Sequence, residues 1–67
     1  MSSVLFVCKE SHINLCRITK GTTADCVGGN DAVVAMYIKT PADGTEMNPG
    51  ELLEVPKADF NRLWQEA

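Results

Sequence analysis

The apolar run from Ala32 to Thr40, AVVAMYIKT, constrains the fold more than any other stretch of the chain. With a period of two it is apolar on both faces, which is typical of a strand that is covered on both sides. The alternative is a helix that Asn30 or Asp31 would cap. We predict a central strand, because bulky and β-branched residues favour the pleated conformation. One face would carry Val34, Met36 and Ile38, and the other Val33, Ala35 and Tyr37.

Four further segments extend this strand into a sheet. The unbroken apolar run Val4–Cys8 predicts a buried first strand, and Ile13–Ile18, with interleaved polar residues, predicts a second and less buried one. Weak alternation over Thr22–Val27 predicts a third. Gly28–Asp31 predicts a tight hairpin before the central strand, because Gly and Asn accept positive φ angles. After a long loop, Glu51–Val55 predicts a return strand with Leu and Val inward and Glu54 outward.

The last residues of the chain have the spacing of a helix. Phe60, Leu63, Trp64 and Ala67 fall at i, i+3, i+4 and i+7, which places them on one stripe. Pro56 suits the first turn of such a helix. Three turns are marginal in isolation, so the helix is expected to dock on the sheet through Phe60 and Trp64.

Together these segments predict one α+β domain over residues 1–67. The sheet is expected to be mainly antiparallel, with four or five strands, and to be closed by one C-terminal α-helix. A small SH3-like barrel closed by the same helix is the alternative form of this fold. A chain of 67 residues buries only about 60% of its unfolded surface, so we expect a thin core.

The composition is that of an ordinary folded protein with a mildly acidic charge. The formal net charge of −3 disfavours nucleic acid and membrane surfaces as partners, because their binders need surplus lysine and arginine. The sequence shows no signal peptide and no apolar stretch near the ~20 residues that span a bilayer. Three cysteines, an odd count, favour reduced thiols. We therefore expect a cytoplasmic protein.

Four residues have the types of a Cys₃His zinc site, namely Cys8, His12, Cys16 and Cys26. Their spacing, C-x₃-H-x₃-C-x₉-C, lacks the C-x₂-C knuckle of most structural zinc sites. The competing interpretation is that the cysteines are small buried apolar residues and that the histidine lies in a turn. We favour that interpretation and predict neither a metal nor another cofactor, with a zinc-binding domain as a less favoured alternative.

Two short stretches, Leu5-Phe6-Val7-Cys8 and Asn14-Leu15-Cys16-Arg17, resemble the opening of the low-molecular-weight protein tyrosine phosphatases and arsenate reductases. The resemblance covers about a fifth of the chain. In that family it implies a C-x₅-R loop that holds phosphate on backbone N–H groups. Here the distance from Cys8 to Arg17 is C-x₈-R, and Ile18-Thr19-Lys20 follows in place of the family's Ser-Pro. We therefore predict no phosphatase activity.

No other catalytic arrangement is evident in the sequence. It contains one histidine, and no serine lies in a G-x-S-x-G turn. Glu51 and Glu54 lie three residues apart on a predicted strand, so they would point to opposite faces and could not share a substrate. We predict that the chain is not an enzyme.

The second half of the chain carries a segregated acidic surface that predicts a protein partner. An acidic loop with a methionine suits a basic surface on a larger protein, and opposite charges speed the encounter. We predict a small non-enzymatic binding module, such as an inhibitor, adaptor or subunit of the kind that phage and mobile elements encode. The predicted contact residues are Asp43, Glu46, Met47, Glu51 and Glu54.

Two alternatives to this interpretation remain open at the level of sequence. A nucleic-acid-binding small β-barrel would require the cations to cluster on one face. A homodimer would form if the unpaired sheet edges of two copies met. The cations in question are Lys9, Arg17, Lys20 and Lys39.

Overall fold

A computed structural model describes residues 3–12 and 16–67 of the chain. All strand pairs are antiparallel, and they form a five-stranded sheet in the order β4-β3-β2-β1-β5. The prediction of a small, mainly antiparallel α+β fold is therefore confirmed, although β2 and not β3 is the middle strand. The elements are β1 (Val4–Cys8), β2 (Thr23–Gly29), β3 (Val33–Thr40), β4 (Leu52–Pro56), α1 (Lys57–Leu63) and β5 (Trp64–Glu66).

The sheet is open, so the SH3-like barrel predicted as an alternative is wrong. Closing the sheet would require its two edge strands, β4 and β5, to pair, and among the described residues they do not. The reason lies in the connection between them, because α1 follows β4 directly and leads the chain to the far edge. There β5, with three residues, pairs with β1.

Within residues 3–12 and 16–67, the buried side chains of the sheet lie on one face. Register pairs such as Met36 with Leu53 place the buried side chains on the face that α1 covers. On the other face Tyr37 is 44% exposed and Leu52 is 49% exposed. The prediction that β3 is covered on both sides is therefore wrong, because so short a chain supplies one covering layer. The core consists of Cys8, Ile18, Ala24, Val34, Met36, Ile38, Leu53, Val55, Leu63 and Trp64.

The helix is shorter than the stripe of apolar residues predicts. It ends at Leu63, and Trp64 is extended, with φ −122° and ψ 151°. The reason is that Trp64 pairs with Cys8 in the sheet, where its backbone gains a ladder partner while its ring still reaches the core. Phe60 packs against Phe6 with ring centroids 4.8 Å apart, so the predicted docking of the helix on the sheet is confirmed. Among residues 3–12 and 16–67, no helix is long and apolar enough to span a membrane.

A hairpin joins β2 and β3 as predicted, but its connection is residues 30–32 and not Gly28–Asp31. The Asn30 side chain holds the turn, because its Oδ1 accepts hydrogen bonds from the N–H groups of Ala32 at 2.8 Å and Val33 at 2.9 Å. Gly28 and Gly29 belong to the end of β2 and not to the turn.

The predicted second strand, Ile13–Ile18, falls partly on residues 13–15, which lie outside the described residues. Of its remaining positions, Ile18 forms an isolated antiparallel bridge with His12. Cys16 and Arg17 are not in a strand. Ile18 itself is fully buried and belongs to the core.

Candidate functional site

A groove with a volume of about 470 Å³ runs beside the edge strand β4. We call it the edge groove. Four consecutive residues of β4, Leu53 to Pro56, line it, together with Val33 of the neighbouring strand β3. Its size lies within the range of about 300–1,000 Å³ that is usual for ligand sites. Its lining includes His12, Cys16, Leu53, Glu54, Val55 and Asp59.

The charges around the edge groove are acidic. Glu54 and Asp59 line it, and no lysine or arginine is among its described lining residues. Burial raises the pKa of the Cys16 thiol, and the negative charges of Glu46 and Glu51 raise it further. Both carboxylates therefore lie near the end of the groove that Cys16 forms. Arg62 pairs with Asp59 at 3.0 Å and offsets part of this charge.

Three of the five predicted contact residues lie at or near the edge groove. Glu54 lines it directly, whereas Glu46 and Glu51 also stabilise the loop between β3 and β4. An oxygen of Glu46 accepts a hydrogen bond from the Arg17 N–H at 3.0 Å, and one of Glu51 accepts from the Asn48 N–H at 2.6 Å. Their contact with a partner stays a prediction.

The other two predicted contact residues have different surroundings. Met47 is half-buried and packs against the core. Asp43 is exposed, and its carbonyl accepts a hydrogen bond from the Thr19 hydroxyl at 2.9 Å. The hydroxyl of Thr45 lies 2.8 Å from those of Thr19 and Thr22, so a threonine cluster fastens this loop to the segment before β2.

A buried pair of rings, His12 and Trp64, lies beside the edge groove. The indole N–H of Trp64 donates to Nε2 of His12 at 3.2 Å. Because Nε2 is the acceptor, the neutral imidazole carries its proton on Nδ1. This Nδ1 has no hydrogen-bond partner within residues 3–12 and 16–67. Burial lowers the pKa of His12, Asp59 opposes this shift, and Arg62 adds to it.

The four residues of the zinc candidate do not assemble. Across the described residues, no group of three or more His, Cys, Asp or Glu side chains is placed to hold a metal ion. Cys8 is buried and its thiol donates to the Glu10 carbonyl at 3.0 Å, whereas His12 bonds to Trp64 instead. The three cysteines are free thiols.

The surroundings of Cys8 are unlike those of a phosphatase nucleophile. Burial raises the pKa of its thiol, although the hydrogen bond to Glu10 acts in the opposite direction. A nucleophilic cysteine requires the thiolate, which a lowered pKa favours. Part of the resembling stretch, Asn14-Leu15, lies on residues that the structure does not describe.

Comparison with models of known families, with curated proteins and with solved structures finds no match to this chain. The site must therefore be interpreted from its own geometry. The arrangement offers an apolar surface with acidic flanks, in which His12 is buried and hydrogen-bonded to Trp64.

Sequence reasoning found one end of the edge groove and missed the rest. Glu54 was predicted from the acidic pattern, whereas Leu53 and Val55 were predicted only as core residues. His12 and Asp59 come from distant parts of the chain, and no sequence spacing relates them. The available signal was the return strand itself, since the last strand before a covering helix is a candidate for the sheet edge.

Proposed function

We propose that this chain is a non-enzymatic binding module that recognises a larger protein at the edge groove, as an inhibitor, adaptor or subunit. The observation that supports the proposal is an apolar groove with Glu54 and Asp59 on its lining and no described cation there. A segment that combines apolar and basic side chains is complementary to this surface. Its apolar groups lose water in the groove, and its cations meet the acidic flanks.

The proposal fits the chemistry of the surrounding residues. The thiol of Cys16 has a raised pKa, and buried His12 already bonds to Trp64. Neither group is prepared for nucleophilic or acid–base catalysis, which requires a thiolate or an accessible imidazole. These properties of Cys16 and His12 support binding as the proposed role of the edge groove.

A selection of random linear peptides displayed on phage tests this function. We expect the purified chain to enrich peptides that combine apolar residues with lysine or arginine. Glu54→Lys should abolish this enrichment, because it reverses the charge beside the groove. Glu66→Lys is the matched control, since Glu66 is exposed on β5 at the opposite edge of the sheet. Enrichment of no common pattern, or equal loss in both variants, would contradict the proposal.

The nucleic-acid alternative is examined with the same three proteins. Mobility-shift titrations with single-stranded and duplex oligonucleotides should show no complex at 150 mM salt. A complex that weakens steeply with salt and survives Glu54→Lys would instead indicate binding through the lysine and arginine side chains. That result would replace the proposed function.

A further inference from the structure

The hydrogen bonds between β3 and β4 establish which backbone groups of β4 point outward. Ile38 N–H donates to the Glu51 carbonyl at 3.0 Å, and Lys57 N–H donates to the Ala32 carbonyl at 2.9 Å. Both pairs belong to the register that joins Met36 to Leu53. Hydrogen-bonded pairs recur at every second residue of an antiparallel ladder.

It follows that Leu53 and Val55 direct their backbone N–H and C=O groups toward β3. Leu52 and Glu54 direct theirs to the outer side, where no strand of the described part of the chain neighbours β4. No backbone hydrogen bond joins these outward groups to another of the described residues. Pro56 has no N–H to offer, so the free edge ends there. Such an edge is a template for another strand.

We infer that an extended segment of a partner protein adds to β4 as a sixth strand, forming backbone hydrogen bonds with Leu52 and Glu54. This inference rests on the proposed function and specifies the shape of its ligand. Strand addition combines affinity from the main chain with specificity from pockets for alternate side chains. Both parts are present here, because four consecutive residues of the same strand line the edge groove.

The two faces of β4 define the side chains that the added strand should carry. Leu53 and Val55 face the covered side, where the groove is apolar. Glu54 lies between them at the edge of the sheet, so it also lines the groove, but its side chain alternates with theirs and is exposed. Side chains of the added strand alternate in the same way, so apolar residues enter the groove and a cation lies beside Glu54. Opposite charges on adjacent strands stabilise their pairing.

The same charges disfavour a second copy of this chain as the occupant. The sequence of β4 is LLEVP, which contains a glutamate and no lysine or arginine. Pairing two such edges would bring Glu51 and Glu54 of both copies close together. Like charges on paired strands are destabilising, whereas a basic segment removes the repulsion.

The test uses a synthetic eight-residue peptide of alternating lysine and valine, acetylated and amidated, and a control peptide with glutamate in place of lysine. Backbone amide exchange is followed by NMR on the full chain. Without peptide, the amides of Leu52 and Glu54 should exchange much faster than those of Leu53 and Val55. The lysine peptide should slow the first two at least about tenfold, and the glutamate peptide should leave them unchanged.

Two N-methylated forms of the lysine peptide make the test specific for backbone pairing. N-methylation of every second residue removes the N–H groups on one side of the strand only. One of the two alternating sets should therefore abolish binding, while the other leaves it within about threefold. Side-chain chemistry is the same in both peptides, so unequal binding identifies hydrogen bonding to the edge.

The outcomes separate this inference from the proposed function. In one outcome the lysine peptide shifts the NMR signals of the groove residues, but the amides of Leu52 and Glu54 still exchange fast and both N-methylated forms bind equally. This outcome overturns strand addition and leaves the proposed binding module intact. No binding of this peptide, together with no enrichment in the phage selection, overturns both. Slow exchange of these two amides in a dimer without peptide would show that a second copy occupies the edge.

Discussion

The hydrogen bond between Trp64 and His12 should contribute to stability in a way that a double-mutant cycle can isolate. Both rings are buried, and the bond joins residues 52 positions apart in the chain. Trp64→Phe removes the donor and leaves Nε2 of His12 buried without a partner. Such an unsatisfied group costs about 1–3 kcal/mol. The smaller ring adds a packing loss that the cycle separates from this cost.

The choice of phenylalanine follows from the total stability of so small a domain. At about 0.05–0.15 kcal/mol per residue, 67 residues give roughly 3–10 kcal/mol. Trp64→Ala would remove about 3–5 kcal/mol by leaving a cavity and could unfold the chain. Trp64→Phe should instead lower the melting temperature by about 4–8 °C for each kcal/mol lost.

The second arm of the cycle replaces His12 with leucine. His12→Leu alone leaves the indole N–H of Trp64 without a partner, which again costs about 1–3 kcal/mol. In the double variant neither polar group remains, so its loss should be smaller than the sum of the single losses by at least about 2 kcal/mol, since both penalties are absent. Urea denaturation followed by far-UV circular dichroism at pH 7.5 measures all four proteins. Losses that add within about 0.3 kcal/mol would refute the stabilising role of this bond.

Two further predictions concern His12 and the end of β2. Because burial lowers the pKa of His12 below its usual value of about 6.5, the unfolded chain binds more protons than the folded chain below that pH. The contribution of His12 is thus complete above pH 6.5 and is lost as the pH falls toward its folded pKa, by at most about 1.4 kcal/mol per pH unit. The urea midpoint should drop between pH 7.5 and pH 5.5, and His12→Leu should remove that part of the drop; an unchanged slope would contradict this. Gly29→Ala should cost about 1–3 kcal/mol, because its φ is +146° and a Cβ would lie 2.4 Å from the Val33 carbonyl oxygen. Gly28→Ala is the control, because its φ of +159° brings backbone strain as well but its Cβ would meet no atom within 4 Å; it should cost less than Gly29→Ala, and equal melting temperatures for the two variants would contradict the steric argument.

The sequence was sufficient to predict those strands and turns for which the local residue types indicate one backbone conformation. The bulky and β-branched residues of Val33–Thr40 and the turn residues before them indicated a strand that follows a hairpin, and the structure has the β2–β3 hairpin there. The spacing of the apolar residues at the C-terminus was less informative. It fits a helix that includes Trp64, but Trp64 lies in a strand and buries its side chain in the core from there. The pattern records that this residue is buried, not which backbone conformation buries it.

Properties that depend on the arrangement of whole elements could not be predicted from the sequence. Whether both faces of β3 are covered depends on how many layers of structure the chain can form. The presence of Tyr37 in the sequence does not distinguish a covered face from an exposed one, and in the structure Tyr37 is exposed. Predicting the edge groove would require the knowledge that β4 lies at the edge of the sheet. Two other lining residues, His12 and Asp59, are 47 positions apart in the chain. Acidic composition near Glu54 was the only part of the site with a local signal.

The bare face of the sheet has a thermodynamic consequence. Exposing apolar surface on unfolding raises the heat capacity, by about 12–15 cal/mol/K per residue in typical domains. Here Tyr37 and Leu52 are already about half in contact with water in the native state, so unfolding adds less new apolar hydration. The heat-capacity change on unfolding should therefore fall below the roughly 0.8–1.0 kcal/mol/K that the typical value per residue gives for 67 residues. A smaller increment flattens the dependence of free energy on temperature, so cooling should weaken this protein less than a domain with a two-sided core.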